Sequence, residues 1–123
     1  MKKLLLVAVG AAALLTPRAV LAHHGWGGYL DAEFEISGVV EMPVSLVGPH
    51  ATMTIKGADG HKWLLTLAPP PRTSAAGLKD GMIVAGTKVT AHGHRHKDNS
   101  RYEVKTERLT VDGKTYNVYP DRT

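Results

Sequence analysis

Histidine is concentrated and regularly spaced in this chain. Seven histidines occur among 123 residues, and cysteine is absent. His23 and His24 are adjacent, whereas His92, His94 and His96 alternate with other residues. Imidazole is a common ligand of copper, nickel and zinc, and thiolate sites require cysteine. The composition therefore favours a histidine metal site and excludes zinc fingers and thiol redox centres.

The first histidine pair gains a further ligand if the chain is cleaved just before it. Val20 and Ala22 are small residues at positions −3 and −1 of a signal-peptidase site. Cleavage after Ala22 would give His23 a free α-amine, so that amine and imidazole could chelate one ion, as in the histidine brace of copper proteins. Alternatively, the amine, a deprotonated amide and the His24 imidazole could bind Cu(II) in a plane. A polar terminus without a physiological metal is the remaining alternative.

The three alternating histidines would share one face of an extended strand. Residues two apart in a strand are separated by about 6.5–7 Å, and their side chains point the same way. We expect His92, His94 and His96 to lie opposite Val89 and Ala91, and therefore outside a barrel. Two neighbours could bind one ion, or all three could hold a zinc. A solvated outer face without a specific site is the alternative.

The other candidate ligands are less regularly placed. His50 follows a Gly-Pro break and could complete the N-terminal site or project from a loop. His61 follows an Asp-Gly turn and is expected at the surface, whereas Met53 fits an apolar alternation and is expected in the core rather than on Cu(I). The predicted metal ligands are His23, His24, His50, His92, His94 and His96. Copper is the favoured ion and zinc the second choice.

Residues 1–22 have the organisation of an export signal. Lys2 and Lys3 precede an apolar run of about a dozen residues, shorter than the roughly 20 that a membrane-spanning helix needs. We therefore expect a periplasmic or secreted protein with no membrane segment in its mature form. A retained N-terminal anchor is the alternative.

Signal removal also changes the charge. The full chain has 15 basic and 11 acidic residues and a formal charge of +4. Without Lys2, Lys3 and Arg18, 12 basic residues face the same 11 acidic ones, and the charge falls to +1. This near-neutral balance, together with export and few aromatic residues, argues against nucleic-acid binding.

The remaining sequence predicts a small all-β domain. Strands are expected where apolar and polar residues alternate, and one short helix is expected over Thr73 to Lys79. The strands are expected near 34–47, 51–56, 61–67, 87–92, 102–111 and 114–119. Three strands, a helix and two strands is the order of the OB-fold, a five-stranded Greek-key barrel. We therefore predict an N-terminal arm over 23–33 and an OB-like barrel of five to six strands over 34–123. Another small barrel or sandwich is the alternative.

Short motifs resemble those of a family of small exported bacterial domains of unknown function. Members begin, after a signal peptide, with Ala-His-His near an aromatic residue, and carry an Asn-Pro-His motif at a strand end, for which this chain has Gly48-Pro49-His50. Further similar segments are Ala22-His23-His24 with Trp26, Leu78-Lys79-Asp80-Gly81, Gly86-Thr87-Lys88-Val89 and Gly93-His94-Arg95-His96-Lys97-Asp98. The resemblance implies an exported barrel-like domain and no particular activity.

No enzyme motif accompanies the histidines. Gly-x-Ser-x-Gly and His-Glu-x-x-His are absent, and the pairs Glu33/Glu35 and Glu103/Glu107 are expected to be strand-surface charges. We therefore expect a non-enzymatic periplasmic protein that handles copper or zinc, with His23 as the anchor ligand and another periplasmic protein as a potential partner. The alternative is a metal-independent binding or adaptor module.

Overall fold

Six strands, one short α-helix and one 3₁₀ turn make up the regular structure of residues 26–122. The computed structural model describes residues 26–122, so the predicted signal peptide and the ligands His23 and His24 lie outside the described residues. In chain order the elements are β1 (Phe34–Ser45), β2 (Thr52–Gly57), β3 (Lys62–Thr66), α1 (Pro70–Ala75), β4 (Lys88–Arg95), β5 (Glu103–Val111), β6 (Lys114–Asn117) and a 3₁₀ turn (Pro120–Arg122).

Five of the strands close into a barrel. The hydrogen-bonded order is β3-β2-β1-β4-β5-β6, and β3 also pairs with β5. That last pairing is parallel and joins Leu65 to Val104, whereas the other pairs are antiparallel. The prediction of a small OB-like Greek-key barrel with an extra strand and one short helix is confirmed.

The barrel interior holds the apolar side of each alternating strand. Trp63, Leu65 and Leu67 are at most 1% exposed, as their shared parity predicts. Met53 is also in this core, so its predicted packing role is confirmed. The rest of the buried apolar set is Val40, Val44, Ala51, Ile55, Ala68, Leu78, Val89, Ala91, Val104, Leu109 and Val118.

The helix begins three residues earlier than predicted. Pro70 and Pro71 precede the predicted start at Thr73, and they occupy the first helical positions. Proline fits there because the first turn of a helix leaves its N–H groups unpaired. Gly77, with φ of +100°, follows the C-cap Ala76 and ends the helix. No helix in the part of the chain that the structure describes is long and apolar enough to cross a membrane.

Strand β1 runs without interruption through Gly38. Gly38 pairs with both Gly57 and Val89, and a Cβ there would collide with the Lys56 carbonyl. Its role is close strand approach rather than a bulge. The register irregularities lie further along β1, between Val40 and Ser45.

Candidate metal centre

The outer face of β4 and β5 carries two adjacent rows of ionisable side chains. The strands are joined by a polar turn and pair antiparallel, with His94 opposite Lys105. We call this set the outer cluster; it comprises His92, His94 and His96 on β4 and Glu103, Lys105 and Glu107 on β5. The inward positions between the histidines are Gly93 and Arg95, and Arg95 packs against Trp63. The predicted outward direction of the three histidines is therefore confirmed.

Much of the outer cluster is buried although it lies outside the barrel. His94, Glu103 and Lys105 are 6–7% exposed and Glu107 is 1% exposed. The alternative of a solvated outer face is therefore wrong for His94. The expectation that Glu103 and Glu107 are surface charges is wrong as well.

The outer cluster is buried because two flanking segments pack on it. Trp26 lies edge-on to the His94 ring, with centroids 5.6 Å apart, and to Tyr119, at 5.1 Å. The Lys105 Nζ is 4.4 Å and the Arg122 guanidinium 3.9 Å from the centroid of the Trp26 ring. Residues from both ends of the described chain thus cover polar groups on the middle strands.

A bulge in β5 aims Glu107 into this covered region. His92 pairs with Arg108 and Gly93 with Thr106, which leaves Glu107 as the additional residue. Gly93 permits the close approach of the strands, because a Cβ there would collide with the Lys105 carbonyl. The backbone carbonyl of Glu107 accepts hydrogen bonds from the N–H groups of Val118 and Tyr119, at 2.9 and 3.1 Å.

Three potential ligand atoms converge at the centre of the cluster. One atom each from Glu33, His94 and Glu107 lie within 4.8 Å of one another, and we call these residues the metal triad. The His94 Nε2 is 3.4 Å from the Glu107 Oε2. Two ligands of a tetrahedral zinc with bonds of about 2.0–2.1 Å are about 3.3–3.4 Å apart. The spacing of this pair therefore suits a shared metal ion.

Hydrogen bonds orient two members of the metal triad. The His94 Nδ1 donates to the Leu30 carbonyl at 2.9 Å, because a carbonyl can only accept. A neutral His94 therefore directs its Nε2 lone pair towards Glu107. His92 Nε2 donates to the Glu33 Oε2 at 2.7 Å. This hydrogen bond and the charge of His92 lower the pKa of Glu33, which favours the ionised ligand form.

The third member, Glu107, has one paired and one unpaired carboxylate oxygen. Its Oε2 accepts a hydrogen bond from the Arg122 Nε at 3.2 Å. Its Oε1 is buried and has no hydrogen-bond partner within residues 26–122. Buried carboxylate oxygens are normally satisfied, so this oxygen marks an incomplete environment.

The other predicted histidines have different surroundings. His96 Nδ1 accepts from the Asp98 N–H at 3.0 Å, so a neutral His96 carries its proton on Nε2, which faces the Glu103 Oε2 at 3.7 Å. His50 lies in the loop before β2; partial burial, and then the charge of Lys105, lower its pKa. Of the four predicted ligands within residues 26–122, the converging triad includes His94 alone.

His61 was expected at the surface, and the structure bears this out. It is exposed, and its ring stacks on Tyr102 with centroids 4.1 Å apart.

The carboxylates of the metal triad were missed as ligands in the sequence. Glu107 and Glu33 were both assigned to exposed surfaces, and only Glu33 is exposed. A signal was present in the alternation of Glu103, Lys105 and Glu107. A hairpin register imposed by the polar turn 97–100 would have set that row beside the histidines.

Comparison with known proteins found no family and a limited similarity to a solved structure. No protein-family model matches the chain, and no curated protein matches it. Among solved structures, the chain is similar to apo TiaS (tRNAIle2 agmatidine synthetase), with 15% identity and a TM-score of 0.49 over 64% of this chain. The matched region is 18% of the TiaS chain. Because the TM-score is below 0.5, this similarity is not evidence for function.

Proposed function

We propose that this protein is an exported metal-binding protein that handles zinc or copper through the metal triad, assisted by the N-terminal histidines. The observation that carries the proposal is the convergence of Glu33, His94 and Glu107 within 4.8 Å. Two carboxylates and one neutral imidazole form a donor set of charge −2, which matches a divalent cation.

Electrostatics supports a cation at this position. Glu107 is almost fully buried, and one of its oxygens lacks a partner within the described chain. A buried carboxylate without full compensation is costly. A metal ion between Glu107 and His94 would add positive charge beside this carboxylate, which already pairs with Arg122 through Oε2, and would bind the Nε2 of a neutral His94.

The donor set suits zinc and copper for different reasons. Zinc accepts imidazole and carboxylate ligands in a tetrahedral arrangement, which fits the His94–Glu107 spacing. Cu(II) binds nitrogen and oxygen donors more tightly than the other divalent first-row ions do. A free amine at His23 would add the nitrogen donors that copper prefers.

Chain connectivity supports the participation of the N-terminal histidines. Trp26 packs against His94, and His24 and His23 precede Trp26 by two and three residues. An extended chain advances at most about 3.6 Å per residue. The Cα atoms of His24 and His23 can therefore lie no further than about 7 and 11 Å from the Trp26 Cα. Export itself is supported by the signal-like residues 1–22 and by the resemblance to small exported bacterial domains.

The test begins with protein purified from the periplasm of a bacterial host after native processing. Intact mass would locate the cleavage, which we expect after Ala22. Calorimetric titration with Zn(II) and Cu(II) would then compare the wild type, a form with one extra N-terminal Ala, and His94→Ala. The matched control is His61→Ala, which removes an exposed imidazole that packs on Tyr102.

The proposal predicts one tight equivalent of metal in the wild type and in His61→Ala, with a loss of at least about 100-fold in His94→Ala. Weaker copper binding in the Ala-extended form would add the amine as a ligand. Equal affinity of His94→Ala and the wild type would contradict the site.

A second candidate function has its own observation. A groove of about 650 Å³ is lined by residues of β1, the end of β2, the start of β4 and the β5–β6 turn, and exposed Val39 is among them. This groove favours a metal-independent binding or adaptor module as the alternative. Absence of zinc and copper binding in every form above would support that alternative.

A further inference from the structure

Arg122 and a metal ion would compete for the same carboxylate. The Glu107 Oε2 that lies 3.4 Å from the His94 Nε2 also accepts a hydrogen bond from the Arg122 Nε, at 3.2 Å. A metal ion bound to this oxygen would lie about 2.0–2.2 Å from it. The ion and the guanidinium would then be close neighbours of like charge in a largely buried site, where screening is weak.

In the ion pair between Arg122 and Glu107, Arg122 is the residue that can move away. Its side chain is 41% exposed and comes from the short 3₁₀ turn Pro120–Arg122, whereas Glu107 is 1% exposed and belongs to β5. An exposed guanidinium can move into water at little desolvation cost, but Glu107 is fixed by its strand.

Movement of Arg122 would be confined to the end of its segment. The Glu107 carbonyl holds the N–H groups of Val118 and Tyr119, and Val118 is fully buried. The contact that would be lost with the ion pair is the Arg122 guanidinium on the Trp26 ring, at 3.9 Å.

We propose that Arg122 is a resident counter-ion of the metal triad: it pairs with Glu107 in the metal-free protein and is expelled when a divalent ion binds. This inference rests on the proposed function. Its consequence is a metal-dependent release of the Arg122 side chain from the Trp26 ring. Metal occupancy would thereby alter the surface next to the N-terminal arm.

Two substitutions separate competition from a general charge effect. Arg122→Met removes the charge from the Glu107 pair and keeps an unbranched side chain. Arg101→Met is the matched control, because Arg101 also pairs with a glutamate of the outer cluster, Glu103, at 3.2 Å. Zn(II) affinities of these variants and the wild type would be measured by calorimetry on the natively processed protein.

We expect Arg122→Met to bind Zn(II) about tenfold more tightly than the wild type, a coupling of ordinary size. Arg101→Met should remain within about twofold of the wild type. If Arg122→Met binds zinc equally or more weakly while the wild type binds well, Arg122 is not a competitor and the inference fails alone. If neither protein binds zinc, the metal site fails and the inference fails with it.

A direct readout follows the guanidinium itself. In the metal-free protein the Arg122 Nε–H is hydrogen-bonded to Glu107, and its NMR signal should be shifted by that contact. Addition of one equivalent of Zn(II) should move the signal towards the value of a solvated arginine. An unchanged signal in a zinc-saturated sample would overturn the proposed expulsion.

Discussion

The barrel interior and the outer cluster are both buried, yet they are built from opposite kinds of side chain. The interior holds fully buried apolar residues such as Leu65 and Ile55. The outer cluster buries His94, Lys105 and Glu107 to a similar degree, under Trp26 and Arg122. Apolar burial is the main source of folding free energy, whereas burial of ion pairs is close to neutral or costly. Burial in the interior therefore accounts for folding, whereas folding stability does not explain why the outer cluster is buried.

If the outer cluster binds a metal ion as proposed, folding stability and metal binding depend on different regions of this molecule. Apolar residues of similar size at the outer cluster would serve a purely structural role at least as well. The Glu107 Oε1 has no hydrogen-bond partner within residues 26–122, and the Nε2 of a neutral His94 faces the Glu107 Oε2. Four substitutions test this separation.

The largest expected effect on folding is in the barrel interior. Leu65→Ala should lower the free energy of unfolding by about 2–5 kcal/mol, because it removes buried methyl groups and leaves a cavity. Urea unfolding of the metal-free protein would measure the change. Zinc affinity of the folded fraction should stay close to that of the wild type. A selective loss of zinc binding would contradict the independence of the two regions.

Glu107→Gln should show the reverse pattern. It keeps the shape of a fully buried side chain and removes a charged metal ligand, so zinc affinity should fall by at least about 100-fold, a loss of about 2.7 kcal/mol. The free energy of unfolding without metal should change by less than about 1 kcal/mol, because the buried charge is lost together with its ion pair. A loss of 3 kcal/mol or more, with zinc affinity intact, would make the cluster a structural feature.

His92→Leu should produce a smaller functional effect. His92 orients the exposed Glu33 through a hydrogen bond of 2.7 Å and is not a member of the metal triad. Loss of such an orienting contact commonly costs 10–100-fold in metal affinity, and the lower value is expected beside an exposed carboxylate. His92→Gln, which retains an N–H donor, should recover part of the affinity. Identical zinc binding by His92→Leu and the wild type would remove His92 from the site.

The smallest effect concerns acid sensitivity away from the cluster. Asp59 accepts a hydrogen bond from the Trp63 Nε1–H at 3.0 Å, and this bond is the main cause of its lowered pKa. Because the folded pKa lies below the unfolded value, the contribution to stability is present above the unfolded pKa. It is lost as pH falls through the folded pKa.

Asp59→Asn should therefore flatten the decline in stability below about pH 4, without altering zinc binding. Urea unfolding at pH 7 and pH 3 would test it. An unchanged pH dependence would show that the Asp59 carboxylate is not linked to folding.

Local alternation allowed the barrel to be predicted, whereas the site depends on contacts between distant segments. The parity of Trp63, Leu65 and Leu67 was enough to place them inside, and that of the β4 histidines to place them outside. The burial of Glu107 depends on a bulge in β5 and on cover from Trp26 and Arg122. Trp26 is far from both Glu107 and Arg122 in the chain. Such cover leaves no local pattern, so the glutamates were assigned to the surface.

The location of a bound zinc ion tests most directly whether Glu33, His94 and Glu107 form a metal site. Crystals of the natively processed protein with one equivalent of Zn(II) would be measured at the zinc absorption edge. We predict a single anomalous peak from one zinc ion. Its bonds should be about 2.0–2.1 Å to the His94 Nε2 and about 2.0–2.2 Å to the Glu107 and Glu33 carboxylates. An empty metal triad, with zinc bound instead at exposed histidines such as His61, would contradict the account.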